Sequence, residues 1–236
     1  TILILYETKF KKNMHEKTLA EAKKRLFRGE LVIFPTETVY GIGANAENAN
    51  AIKLIYEVKK RPLDNPLICH FPNLKEIKKN FILKDKDIEL AQTFWPGPLT
   101  LILEKKNESK ITTLVSNNQN HVGCRIPNNE IALKILNELN FPIAAPSANI
   151  ATKTSITSIN DLDTALQNIF NIDGGSSVLG LESTVIQTTK VGCKILRLGS
   201  LTIEEIKNKF NDYIIETADS KLSPGNQLKH YSPNKA

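Results

Sequence analysis

Five short stretches of the chain carry side chains suited to holding a charged ligand. They are PTETVYG (35–41), KKRPLDNP (59–66), APSAN (145–149), LEST (181–184) and LRLGS (196–200). In each, an apolar run ends in hydroxyl, amide or cationic residues. Such groups recognise carboxylates and phosphates through charge-assisted hydrogen bonds and turn amides. GxxxxGK[ST], GxSxG, HExxH and kinase signatures are absent, so a bound nucleotide would have to be held without a P-loop. In open α/β sheets ligands sit at strand ends, so stretches distant in sequence are expected to meet at one site.

Each stretch also has a plainer reading. Thr36 and Thr38 could be strand hydroxyls bonded to backbone. Lys59 and Arg61, near a helix end, could simply complement its dipole. Ser147 and Asn149 fit an Asx or ST turn, and Arg197 could snorkel from a strand to solvent. The joint occurrence of all five argues for a site.

The elements that must position them alternate. Residues 18–29 predict a helix, with Thr18 and Glu21 at capping-box spacing and Leu19, Ala22, Leu26 and Phe27 on one face. LVIF (31–34) reads as a buried strand. A helix capped by Asn48 or Asn50 buries Ile52, Ile55 and Tyr56, and must stop at Arg61 because Pro62 follows. Strands are expected at 66–71, 99–103, 121–126, 141–146, 183–188 and 194–198. Helices are expected at 85–95, around Ile135–Leu139, around Leu162–Ile169, and after Thr202. The expected fold is therefore α/β, with helices packed on a mixed sheet. Residues 218–236 are polar and aperiodic, which predicts a tail or linker.

The 236 residues suit one large domain, and 41% apolar residues can build its core. A net charge of +6 points mildly toward anionic partners, nucleotide phosphates or RNA. Cys69, Cys124 and Cys193 form no CxxC pair, and His15, His70, His121 and His230 show no zinc spacing. No apolar run is long enough to span a bilayer, so a reduced, cytoplasmic, soluble protein is expected.

KKRPLDNPL followed by APSAN resembles the Lys-x-Arg…Ser-x-Asn signature of the YrdC-like family, the threonylcarbamoyl-AMP synthases. PTETVYGIG, VGCRIP, DGG (173–175), ESTVI and LRLGSLT extend the resemblance over roughly residues 15–210. It implies a twisted mixed sheet with a large, positively charged concave cavity. The activity implied joins L-threonine, bicarbonate and ATP into threonylcarbamoyl-adenylate and pyrophosphate. A separate tRNA-modifying complex then uses the product. Lys59 and Arg61 are the implied catalytic cations. Thr38, His70, Arg125, Ser147 and Ser183 are implied for threonine, and Arg61, Asn65, Asn149, Thr157, Arg197, His230 and Tyr231 for ATP. Ser147 borders the nucleotide as well. Magnesium is expected to ride on the ATP phosphates, with no dedicated protein metal site.

The tail SPGNQLKHYSP resembles the linker of the family's longer form, which folds over the active site and leads to a second domain. Residues 1–217 would then be the catalytic domain and 218–236 the linker or lid, with the second domain absent. Departures from the family pattern fall on loops: Ala151-Thr152, Ser155-Ile156-Thr157, Asn129 and Leu196-Arg197-Leu198-Gly199 replace commoner residues while sparing the hydroxyl and guanidinium positions. Two other readings stay open at this stage. One is a carbamoyltransferase domain that forms carbamoyl-adenylate. The other is an RNA-binding module that uses the basic concavity, although aromatic residues are only 6%.

Overall fold

A computed structural model describes residues 16–217. Helix α1 covers 16–27 and leads into a hairpin of β1 (Val32–Phe34) and β2 (Gly41–Asn45). Then follow α2 (Ala49–Lys59), β3 (Ile68–His70), α3 (Leu74–Asn80), β4 (Phe81–Ile82), α4 (Asp85–Phe94) and β5 (Leu99–Lys105). Next come β6 (His121–Arg125), α5 (Glu130–Asn137), β7 (Ile143–Ala144), β8 (Phe170–Asn171), β9 (Thr184–Thr188) and β10 (Gly192–Arg197). Helix α6 (Ile203–Lys209) and β11 (Ile214–Thr217) close the described chain.

The strands form one mixed sheet in the order β11-β10-β9-β5-β6-β3-β7-β2-β1-β8, with β4 on the stretch of the β5 edge beyond β9. Strand pairs β3–β6, β5–β9, β1–β8 and β10–β11 are parallel, and the remainder are antiparallel. Alternation along each strand supplies two cores. Ile33, Cys69, Cys124 and Ala144 pack with α2, α3, α4 and α6 on one face. Val32, Phe34 and Ile143 pack with Leu19, Ala22 and Leu26 of α1 and with Ala132, Ile135 and Leu136 of α5 on the other.

Most expected elements form, with three instructive differences. The helix expected across Leu162–Ile169 is two short 3-10 turns, Ile159–Asp161 and Thr164–Leu166. Ser158 accepts from the Asn160 N–H and Asp163 from the Ala165 N–H, so local side-chain caps compete with a continuous helix. Phe27, expected on the buried face of α1, is 49% exposed, with its ring 5.1 Å from that of Phe141 in a T-shaped pair. Helix α2 ends at Lys59 rather than Arg61. Lys60 turns left-handed (φ 50°), and the Arg61 N–H reaches back to the Tyr56 carbonyl at 2.9 Å, as in a Schellman ending.

The β1–β2 hairpin has a tight packing constraint at Gly43. A Cβ there would lie 2.6 Å from Ile143 Cγ2 and 2.7 Å from Phe34 Cε1. Gly43→Ala is predicted to overpack the α1–α5 core and cost about 1–3 kcal/mol in urea unfolding. An unchanged unfolding midpoint would contradict that packing.

Candidate active site

The register of β3 and β6 decides which side chains leave the core. Cys69 opposes Cys124 and both enter the core beneath α2 and α4. The next pair, His70 and Arg125, therefore faces the opposite side of the sheet. There the two side chains join the β1–β2 turn, the loop after β7 and the ends of β9 and β10 around a cleft. Thr38, Arg61, His70, Arg125, Ser147, Ser183 and Arg197 all line it, together with Glu182. The cleft thus lies on a sheet face, not solely at strand ends as the sequence suggested.

Each wall has an internal brace. In the β1–β2 turn, Thr36 Oγ1 donates to the Val39 carbonyl at 2.6 Å and also accepts from the Thr38 and Val39 N–H groups. The plain backbone-bonding reading therefore holds for Thr36. Thr38 instead accepts from Arg125 Nη1 at 2.9 Å. Glu37 lies behind them, with its Oε1 2.6 Å from Arg125 Nη2 in a buried ion pair. Tyr40 carries the turn onward, donating from its hydroxyl to the Gly175 carbonyl (2.6 Å) and accepting from the Gly174 N–H (3.0 Å).

Lys59 and Arg61 do not serve the α2 dipole. Lys59 is only 1% exposed, and its Nζ donates to the carbonyls of Ser147 and Asn149. Burial, then the nearby Arg61 charge, push its pKa well down, against an upward pull from Glu182. Arg61 wraps its own loop, donating to the carbonyls of Asn65 (3.0 Å) and Pro66 (3.0 Å) and to Asn65 Oδ1 (2.5 Å). Burial lowers its pKa to about 10, with Arg197 contributing like-charge repulsion.

On the β9–β10 side, a register shift between Ile195 and Arg197 marks a bulge, a device that re-aims a side chain. Arg197, 6% exposed, does not snorkel. Its Nε and Nη2 donate to the Ser183 carbonyl at 3.2 and 2.8 Å, and the Ser183 hydroxyl lies 2.7 Å from Thr100 Oγ1. Gly199 is required here: a Cβ would sit 2.2 Å from the Glu182 carbonyl, so only glycine lets the two backbones close up.

Four of the expected residues do not line the cleft. Lys59 lies beneath it and Asn65 behind Arg61, while Asn149 uses its Nδ2 to brace the carbonyls of Ile150 and Lys153. Thr157 holds the 173–181 loop through its carbonyl, which accepts from Ser177 N–H at 2.7 Å. His230 and Tyr231 lie outside the described residues. The structure adds Glu37, Glu182 and Thr100, which the sequence reading did not single out. The first two stand inside quoted motifs, whereas Thr100 carries no sequence signal.

Among the buried polar atoms without a hydrogen-bond partner in the protein are His70 Nδ1 and Asn149 Oδ1. A polar ligand in and around the cleft could satisfy them. Among the described residues no three His, Cys, Asp or Glu side chains gather as a metal site, and no helix is long and apolar enough to cross a membrane.

The profile of the Sua5–YciO–YrdC family, described as telomere recombination, matches residues 24–199. The chain belongs to that family. A relative from Pyrococcus abyssi, named threonylcarbamoyl-AMP synthase, is 42% identical over 216 residues, covering 87% of this chain and 63% of its own length. The solved P. abyssi Sua5 complexed with L-threonine aligns with TM-score 0.82 and 39% identity, over 93% of this chain and 66% of that one. A second P. abyssi structure, with an adjacent His and Tyr replaced by alanine, gives the same TM-score of 0.82 and the same 39% identity, over 91% of this chain and 64% of its own. The chain therefore spans just under two thirds of these family members.

His70 supplies a pH test. Burial and then the Arg125 charge lower its pKa from 6.5 to about 3. Between those values the unfolded chain binds a proton that the folded chain does not, so stability falls as pH drops below 6.5. From pH 7 to pH 5, wild type is predicted to lose up to about 2 kcal/mol more than His70→Asn in urea unfolding. Equal losses would contradict a neutral, buried His70.

Proposed function

We propose that this chain is the synthase domain of a threonylcarbamoyl-AMP synthase, acting on L-threonine, bicarbonate and ATP. The observation that carries this reading is the cleft in which Arg61, Arg125 and Arg197 converge with Thr38, His70, Ser147 and Ser183. It offers cationic forks for both a carboxylate and phosphates. The P. abyssi Sua5 complex with L-threonine supports an amino acid as one occupant.

In the proposed reaction the threonine amine condenses with bicarbonate to give the carbamate and water. A carbamate oxygen then attacks the α-phosphorus of ATP. The bond from that phosphorus to the bridging oxygen breaks, and pyrophosphate leaves. No protein nucleophile takes part, which suits a site without an activated Ser or Cys. The protein holds two substrates in line and neutralises charge on the phosphoryl oxygens. Thr38, His70, Arg125, Ser147 and Ser183 would hold threonine. Arg61 and Arg197 would hold the phosphates. Lys59, with Asn65 and Asn149, would fix the backbone that faces the nucleotide.

ATP would enter as its magnesium complex, with the metal on phosphate oxygens and water. Thr157 stands on the loop next to the cleft, and His230 and Tyr231 would close over the adenylate. The adjacent His and Tyr altered in the second P. abyssi structure are the same pair of residue types. The adenylate would pass to a cytoplasmic transferase that modifies tRNA.

Pyrophosphate release tests the reading. It should require ATP, L-threonine and bicarbonate together, and fall by about 100-fold or more in Arg61→Ala. Release that depends on carbamoyl phosphate instead, or salt-sensitive RNA binding without turnover, would overturn it.

A further inference from the structure

The hydrogen bonds of the β1–β2 turn have a fixed direction, and this decides what Thr38 can offer a ligand. A threonine hydroxyl has one proton and two lone pairs. Thr36 Oγ1 lies 2.6 Å from the Val39 carbonyl oxygen and 2.8 Å from Thr38 Oγ1. A carbonyl cannot donate, so an oxygen–oxygen contact of 2.6 Å there needs the Thr36 proton between the two atoms. Thr38 then donates its own proton to one lone pair of Thr36 Oγ1, and the longer contacts from the Thr38 and Val39 N–H groups, both 3.3 Å, share the other. Arg125 can only donate, and its Nη1 occupies one Thr38 lone pair at 2.9 Å. What remains on Thr38, at the cleft wall, is a single lone pair.

The guanidinium is held just as firmly. Arg125 Nη1 is on Thr38, Nη2 is 2.6 Å from Glu37 Oε1, and Nε donates to the Gly97 carbonyl at 3.3 Å. Two of its five N–H groups are thus committed by hydrogen bonds and Nη2 is held against Glu37 as an ion pair, so that Nη1 keeps one further N–H.

We propose that Thr36 and Glu37 are positioning residues that set the polarity of the amino-acid end of the cleft. Thr36 takes the Thr38 proton and Glu37 anchors Arg125, so that Thr38 can only accept, and accepts from the substrate's α-amine. A carboxylate carries no donor and is refused at Thr38, but it can accept from the remaining N–H of Arg125 Nη1. The amine and carboxylate of an α-amino acid share one carbon, so a carboxylate on Arg125 brings the amine to Thr38. Once the ammonium has lost one proton to solvent, an amine that donates one N–H to Thr38 keeps its lone pair free for the carbon it must attack. This inference rests on the amino-acid reading of the cleft and specifies how the amino acid is oriented within it.

Calorimetry of L-threonine and of L-2-aminobutyrate, which lacks the side-chain hydroxyl, tests the proposal in the absence of turnover. Thr36→Val should weaken both ligands by about five- to tenfold, the scale of one hydrogen bond. Thr36→Ser should restore both, and the KM for ATP should stay at the wild-type value. Glu37→Gln, which keeps the side-chain shape, should also weaken both ligands and leave the ATP KM alone. If Thr36→Val weakens threonine but not aminobutyrate, the donor is the side-chain hydroxyl and the amine assignment is overturned. If Thr36→Val binds like wild type, or Thr36→Ser fails to rescue, the relay is overturned while the functional reading stands. A wild-type protein that binds neither ligand would overturn both.

Discussion

The cleft depends first on the buried Lys59 side chain. It is one of the largest fully buried side chains among the described residues, and its polar end rests on the carbonyls of Ser147 and Asn149 rather than in water. Its own carbonyl accepts from Ala151 N–H at 2.9 Å, so helix α2 and the loop after β7 are tied by main chain and side chain together. Taking a cation out of water is costly, and carbonyl oxygens offset part of that cost. Without the amine, two buried carbonyls would lose their partner at about 1–3 kcal/mol each. The same loop is bridged to Gly41 at Ser147, so Lys59 and the β1–β2 hairpin hold Ser147 from two sides.

The same residue sets the direction of Arg61. Ending α2 at Lys59 and turning left-handed at Lys60 releases Arg61 from the helix and lets it fold over Asn65 and Pro66. A helix continuing to Arg61 would aim that guanidinium elsewhere on the α2 surface. Three arginines around one small cleft repel each other, and the site manages this in two ways. Arg125 is neutralised by Glu37, and Arg197 is pinned to the Ser183 carbonyl. Arg61 donates to neutral oxygens of Asn65 and Pro66, and burial lowers its pKa to about 10. An incoming phosphate would relieve that repulsion, which is the electrostatic basis for placing the nucleotide on the Arg61–Arg197 side and the amino acid on the Arg125 side.

The sequence was most legible where a single side chain or a short period decides the outcome. Ile52, Ile55 and Tyr56 named the buried face of α2, Asn48 caps it, and Thr202 with Glu205 forms the capping box of α6. The motif residues Thr38, Arg61, His70, Arg125, Ser147, Ser183 and Arg197 do share one cleft. It was least legible where tertiary context wins. Strand β2, with its glycines, does not read as a strand until Gly43 is seen beneath Phe34 and Ile143. Strands β4 and β8 are two residues each and exist through pairing with β5 and β1. The depth of Lys59 was hidden too, because a lysine beside a helix end usually reaches water. Nor could spacing alone show that Glu37 faces Arg125 from 88 positions away in the chain, the contact that holds Arg125 at the cleft.

A structure of the protein with L-threonine and a non-hydrolysable ATP analogue bound together tests the central claim most directly. The account predicts threonine against Thr38, His70 and Arg125, with its amine on Thr38 Oγ1, and the α-phosphate between Arg61 and Arg197. Phosphates seated on Arg125, or a threonine carboxylate directed at Thr38, would contradict it.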